Sequence, residues 1–218
     1  MNFSRSIEAQ LCISIHDSFF SKSLGYEYNP QKNRLEYSFS DMSRRFLRLP
    51  IGWYYESNQI KSREEGIFVI FLIQSGSAAL GLFNGDEVMD HKVFKSYMVR
   101  KKQGKSQLKY LKTKGKSRAG SRVRLGNALE FFENINSRLN KYFEENTIDT
   151  IAYSCSKTLW PFLFNGNTPP PFSKKDDRLW SIPRHTHTPD YDQLIQTYKY
   201  LLQGEILMDK EIDLDSLS

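Results

Sequence analysis

The 218-residue sequence predicts an α+β fold: a mixed β-sheet with flanking helices and a long basic loop between a strand and a helix. Three observations carry that prediction. Ile67-Phe68-Val69-Ile70-Phe71-Leu72-Ile73 is a continuous β-rich apolar run, the pattern of a central strand buried on both faces. From Arg122 onward, Leu125, Leu129, Phe132, Ile135, Leu139, Tyr142 and Phe143 recur mostly three or four residues apart, the spacing of an amphipathic helix. Between Lys92 and Arg124, on the way into that helix, every charged side chain is a cation.

Taken in order, residues 1–60 are mixed in character and are expected to form an N-terminal extension packed on a main domain at 61–208. Ile7 to Phe20 alternates weakly, and Arg34 to Phe39 alternates well enough for a strand. Pro50 and Gly52 break the chain before Trp53-Tyr54-Tyr55, an aromatic patch suited to core packing or to stacking on bases. Ser77 to Phe83 is a second strand of the main sheet, and Asn84-Gly85-Asp86 supplies hairpin-turn chemistry. Glu87 to Asp90 and Val93 to Arg100 continue the meander until Gly104 breaks the extended pattern. The long helix is expected to end near Asn146, followed by a strand at Ile148 to Tyr153 and a short helix at Lys157 to Phe164. Pro169-Pro170-Pro171 opens a loop. Asp190 to Gln203 reads as a last amphipathic helix, capped near Thr188 with Pro189 at its first position. Residues 209–218 read as an acidic flexible tail.

Composition narrows the function classes. No apolar stretch approaches the 18 or more residues of a membrane span. Arg5 and Glu8 stand where a signal peptide would need an apolar core, so a cytoplasmic protein is expected. Cys12 and Cys155 are far apart and read as small buried hydrophobes. His185 and His187 lack a surrounding ligand set, and Asp176-Asp177 reads more readily as a charged turn than as a metal pair. Neither a metal nor a cofactor is expected, and the chain is expected to be a monomer.

Charge is the most informative feature. The net charge is +6, but 13 of the 31 basic residues lie between Lys92 and Arg124 with no acid among them, leaving 18 basic against 25 acidic elsewhere. The run comprises Lys92, Lys95, Arg100, Lys101, Lys102, Lys105, Lys109, Lys112, Lys114, Lys116, Arg118, Arg122 and Arg124. Such a segment repels itself and must be solvated or neutralised by a polyanion. RNA fits that requirement, with affinity falling steeply as salt is added. An anionic membrane fits poorly, because no amphipathic apolar face accompanies the charges. Gln103, Gly104, Ser106, Gly115, Ser117, Gly120 and Ser121 give the segment the composition of a mobile loop, and a merely solubilising loop is the plainer reading. The segment returns into the start of a helix, itself an anion site, which places Arg118 to Arg124 for phosphate contact.

Within the loop stands Arg100-Lys101-Lys102-Gln103-Gly104-Lys105-Ser106-Gln107, and there the sequence resembles the VMS-like release factor family. His91-Lys92-Val93-Phe94-Lys95-Ser96-Tyr97 resembles the family's HKxFxxY strand, and Gly104 to Gln107 fits its GxxQ loop. Ser117-Arg118-Ala119-Gly120-Ser121 resembles the stretch at the mouth of the following helix, and Asp177 to Pro183 a late R-x-I-P segment. The similarity covers roughly residues 65–203, and its strength lies in the order of the segments, since GxxQ alone carries no weight.

The resemblance implies the release-factor catalytic domain, an RNase H-like arrangement, whose loop enters the peptidyl-transferase centre of the large ribosomal subunit. It implies cleavage of peptidyl-tRNA on stalled large subunits, with Gln107 as the catalytic residue. A glutamine amide offers donor and acceptor without titrating, so catalysis would come from positioning a water within the RNA. Gly104 would let the backbone turn closely against RNA. Ser106 and the cations from Arg100 to Arg124 would bind it. The chain departs from the release factors' GGQ at the second glycine, where Lys105-Ser106 precedes Gln107. The family is also associated with cutting tRNA near its 3′ end, and Lys102, Lys105 or Arg118 would then stabilise charge on phosphate oxygens. The sequence leaves ester and phosphodiester cleavage open, and beside both stands a non-catalytic ribosome-binding module.

Overall fold

A computed structural model of the protein describes residues 3–63, 66–96, 119–184 and 186–208. The elements run β1 (Phe3–Ile7), α1 (Leu11–Lys22), β2 (Gly25–Asn29), β3 (Arg34–Ser38), β4 (Arg44–Arg48), β5 (Trp53–Glu56) and β6 (Gln59–Ser62). They continue with β7 (Ile67–Gln74), β8 (Ser77–Asn84), β9 (Glu87–Lys95), α2 (Ala119–Glu145), β10 (Thr150–Cys155), β11 (Leu179–Ser181), α3 (Tyr191–Leu201) and β12 (Gly204–Met208). Two compact units result. One is Ile67–Leu194, and the other joins the described residues up to Gly66 with those from Ile195 on.

The unit of residues 67–194 is the α+β domain with a mixed sheet, in the order β11-β10-β7-β8-β9. β7, β8 and β9 form an antiparallel meander, while β10 lies parallel to both β7 and β11. Phe68 to Ile73 are all buried, so β7 is the doubly covered central strand that its apolar run predicts. Gly85 turns the β8–β9 hairpin at φ +50°. One face of the sheet, with Val69, Phe71, Ile73, Ala78, Leu80 and Leu82, packs on the α2 stripe of Ala128, Phe131, Phe132, Ile135, Leu139 and Tyr142. Burying one such side chain contributes roughly 1.5–3 kcal/mol. Phe71 also stacks with Tyr153, Trp160 and Phe172, at ring separations of 5.8, 6.4 and 6.0 Å. On the other face Gly81 allows a close approach: a Cβ there would lie 2.5 Å from the Phe83 ring and 3.0 Å from Leu194.

Three local expectations are corrected here. Glu87 to Lys95 is a single strand whose pairing slips at Leu82/Phe83, a bulge that absorbs the irregular pattern. Residues 157–164 hold only a 3₁₀ turn, Trp160–Phe164, with Pro161 inside it, because five residues around a proline cannot propagate an α-helix. The last helix begins at Tyr191 rather than near Pro189, since the Asp190 carboxylate accepts from the Gln193 amide at 2.8 Å and so caps it.

The other unit holds an antiparallel five-stranded sheet, β1-β12-β4-β3-β2, and the β5–β6 hairpin. That hairpin turns through Ser57 and Asn58, both at positive φ. Cys12, Ile15, His16 and Phe19 form the buried stripe of α1 and pack with Leu35, Tyr37, Leu47 and Ile206. β12 sits between β1 and β4, fixed by a buried ion pair. Arg48, 1% exposed, reaches Glu205, 5% exposed, at 3.3 Å and donates to the Tyr200 and Gln203 carbonyls at 3.3 and 3.0 Å. Burial pushes the Glu205 carboxyl up, but the Ser4 and Tyr200 hydroxyls and the Arg48 charge together bring it below the usual glutamate range.

Candidate nucleic-acid interface

The basic segment belongs to the unit of residues 67–194, and the sheet dictates where it leaves. β7, β9, β10 and β11 share one direction, so their carboxyl ends, at Gln74, Lys95, Cys155 and Ser181, lie along one edge. In open sheets of this kind that edge is where ligands bind. The segment departs from it after β9, where the Ser96 amide donates to the Gly76 carbonyl at 2.8 Å and ties strand end to β7–β8 turn. Gly76 has φ +83°, a backbone state that glycine adopts without strain. The Gln74 amide, at the same edge, donates to the Thr186 carbonyl at 2.9 Å. The chain returns as α2, whose first described core residue is Ala128, nine residues or about 13 Å of axis along the helix.

Of the predicted site residues, Arg122 and Arg124 lie in the first turns of α2. Gln107, Gly104, Ser106 and the cations Arg100, Lys101, Lys102, Lys105, Lys109, Lys112, Lys114, Lys116 and Arg118 lie outside the described residues. Lys92 and Lys95, the first cations of the run, are exposed on β9, an edge strand.

A cluster that the linear reading did not single out lies beside them. Lys92 and Phe94 of β9 and Asn134, Ser137, Arg138 and Lys141 of α2 line a groove of about 250 Å³. Period two places the β9 pair on one face, and spacings of three, four and seven place the α2 set on one stripe. That stripe was readable in the sequence as the polar neighbour of the Ile135–Leu139–Tyr142 core face. Arg138 is held by Asp90 of β9, its guanidinium over the Tyr142 ring at 5.3 Å.

Other candidates resolve into structure. His91 sets its ring 4.4 Å from that of Tyr191. The Asp176 carboxylate accepts from the Arg178 side chain at 2.8 and 2.9 Å and from its amide at 3.0 Å, which holds the carboxyl below the usual aspartate range. Trp53 and Tyr55 pack against the core of their own unit, and Tyr54 lies under the Arg63 guanidinium. Burial pushes both thiols, Cys12 and Cys155, up to about 12, so neither is a ready nucleophile. Among the described residues no cluster of three or more His, Cys, Asp or Glu is placed to hold a metal, and no helix is long and apolar enough to cross a membrane.

The model of the Bacteroidetes VLRF1 release factor family matches residues 68–208, well over half of the chain. Proteins named tRNA endonuclease ANKZF1 are 28% identical over 131 residues in Mus musculus and 30% over 142 residues in Homo sapiens. Those alignments cover 58% and 62% of this chain but only 17% and 19% of the relatives, so the chain spans less than a fifth of their length. Among solved structures, the Vms1 mitochondrial localization core aligns with a TM-score of 0.46 at 12% identity, over 83% of this chain and 77% of that one.

Proposed function

This chain belongs to the Bacteroidetes VLRF1 release factor family, and on that ground we propose that it cleaves peptidyl-tRNA on stalled large ribosomal subunits. The observation that carries the reading is the extent of the family match. It takes in β9 and α2, the two elements that launch and receive the 13-cation segment. RNA supplies the polyanion that such a segment requires. The relatives named tRNA endonuclease support a role in breaking a bond of tRNA.

In this reading the segment from Arg100 to Arg124 enters the RNA-walled peptidyl-transferase centre, with Gly104, Lys105 and Ser106 turning the backbone against RNA. Gln107 orients the attacking group, a water for the peptidyl ester or a ribose hydroxyl for the tRNA backbone. Neither route asks for a protein base, since positioning and the field of the surrounding RNA lower the barrier. The protein acts in the cytoplasm as a monomer, in ribosome quality control.

One observation favours a second reading. Lys105-Ser106 replaces the second glycine of GGQ, which fits a loop that binds RNA without cutting it. The test uses stalled large subunits carrying doubly labelled peptidyl-tRNA. Wild-type protein is expected to free the peptide, and the tRNA 3′ end resolved on a gel identifies the bond. Gln107→Ala is expected to bind equally and lower the cleavage rate by about a hundredfold or more, the scale set by losing a positioning group. Intact peptidyl-tRNA with wild-type protein demonstrably bound leaves the binding module standing instead.

A further inference from the structure

We propose that the groove between β9 and α2 is a second RNA site, holding the phosphodiester backbone of the same RNA that the basic segment engages. The proposal rests on the reading above, which it extends from the segment to the body of the domain. Cations from two different elements converge here: Lys92 on β9, and Arg138 and Lys141 on α2. Lys92 is exposed and makes no ion pair among the described residues. Lys141 has only Glu145, 3.8 Å away with both side chains more than half exposed, a pair that holds its charge weakly. Asp90 neutralises part of Arg138 and orients its guanidinium.

Of the uncharged lining, Asn134 is the side chain that suits the same ligand. The Asn134 amide has no hydrogen-bond partner among the described residues, and a phosphate oxygen would accept from it. The Ser137 hydroxyl donates to the Glu133 carbonyl at 2.8 Å, so its proton stays within the helix. Phe94, half-buried against the core, also lines the groove. Asn134 and Lys141 lie about 22 and 33 Å along α2 from its first residue. A strand reaching from the start of α2 to the groove therefore spans roughly six to ten nucleotides at ~3.4 Å per phosphate.

The test measures binding of a fluorescent RNA hairpin of about 12 base pairs, long enough for that span, across a salt series. The full chain carries Lys92→Glu with Lys141→Glu. Affinity is expected to fall by about tenfold or more at low salt, with the salt slope reduced by about 1–2. Lys92→Gln with Lys141→Gln is expected to lose less affinity and the same slope. Lys22→Glu with Lys32→Glu, the same charge change at exposed positions of the other unit, is the control and is expected to retain the wild-type slope. Both altered groove side chains are exposed, and an unchanged circular dichroism spectrum verifies folding. A groove variant that binds like this control overturns the proposal. If Lys101, Lys102 and Lys105 changed to Glu abolish binding while the groove variant does not, the groove falls and the reading of the segment stands. If only the groove variant loses binding, the groove is an RNA site by itself, and the reading of the segment falls together with the sharing of one RNA. Wild-type protein that ignores the hairpin overturns both.

Discussion

The two units both have apolar clusters but differ in the polar groups buried beside them. In the sheet of β7 to β11, the buried cluster is apolar and aromatic, and among the described residues the buried polar side chains of that unit are Asn136 and Thr186, neither of which titrates. The sheet of β1, β12, β4, β3 and β2 buries His16, Asn33, Arg48 and Glu205, three of them ionisable. Apolar burial is strong but non-directional, so it favours collapse without selecting one partner strand over another. A buried charge has the opposite character, because it is tolerable only where its partner arrives in good geometry. The first core derives its stability from area. The second adds to its apolar cluster one ion pair that gives β12 a specific place, and it is expected to be the more sensitive of the two to loss of a single charge.

The largest test of that contrast is Glu205→Ala, which leaves the Arg48 guanidinium buried without its carboxylate. A destabilisation of about 3–5 kcal/mol is expected, read by hydrogen exchange as lost protection of the β4 and β12 amides relative to those of β7 and β8. Equal loss in both sheets would break the comparison. Asn136→Ala probes the apolar unit at its own buried polar group. The Asn136 amide donates to the Leu163 and Thr168 carbonyls at 2.6 and 2.8 Å, and removing it is expected to cost about 1–3 kcal/mol in denaturant unfolding. A cost matching that of Glu205→Ala would show that polar groups matter equally in the two cores.

The smallest effect expected is a pH dependence. His16, 5% exposed with its Nδ1 2.5 Å from the Tyr37 hydroxyl, has its pKa lowered by burial, against a smaller upward pull from Asp17. The unfolded chain therefore takes up the proton first as pH falls. The contribution of neutral His16 is complete above the ordinary imidazole value near 6.5 and declines as pH drops through it toward the lower folded value. Glu205, with its folded pKa also depressed, loses its contribution in a separate window below the usual glutamate range. Unfolding midpoints of wild type and His16→Gln between pH 7.5 and 5 check the first window. The wild-type slope is expected to flatten in the variant, and parallel curves would remove His16 from the account.

The same contrast decides what could be read from sequence. The apolar unit announces itself: an unbroken run made β7 plain, and three-four spacing made α2 and most of α3 plain. The polar unit hides its periodicity. In α1 the buried stripe is Cys12, Ile15, His16 and Phe19, while Leu11, Ile13 and Phe20 are exposed, so hydrophobicity alone points at the wrong faces. In β12, Glu205 is buried within a five-residue strand, which makes no sense until Arg48 is found far away in the chain. The candidate site divides likewise. The cationic run is visible as composition, whereas the groove of Lys92, Phe94, Asn134, Ser137, Arg138 and Lys141 exists only once β9 and α2 are packed together.

The position of β12 also has a consequence in time. A ribosome making this chain exposes β1 and β4 some 150 residues before β12 follows, an interval of roughly 8–30 s at ordinary elongation rates. Throughout it, the facing edges of β1 and β4 lack the strand that separates them. The unit of residues 67–194 is contiguous and is synthesised entirely within that interval. The segment ahead of residue 67 thus belongs to the unit that is completed last, and its open strand edges are a natural target for chaperones during synthesis.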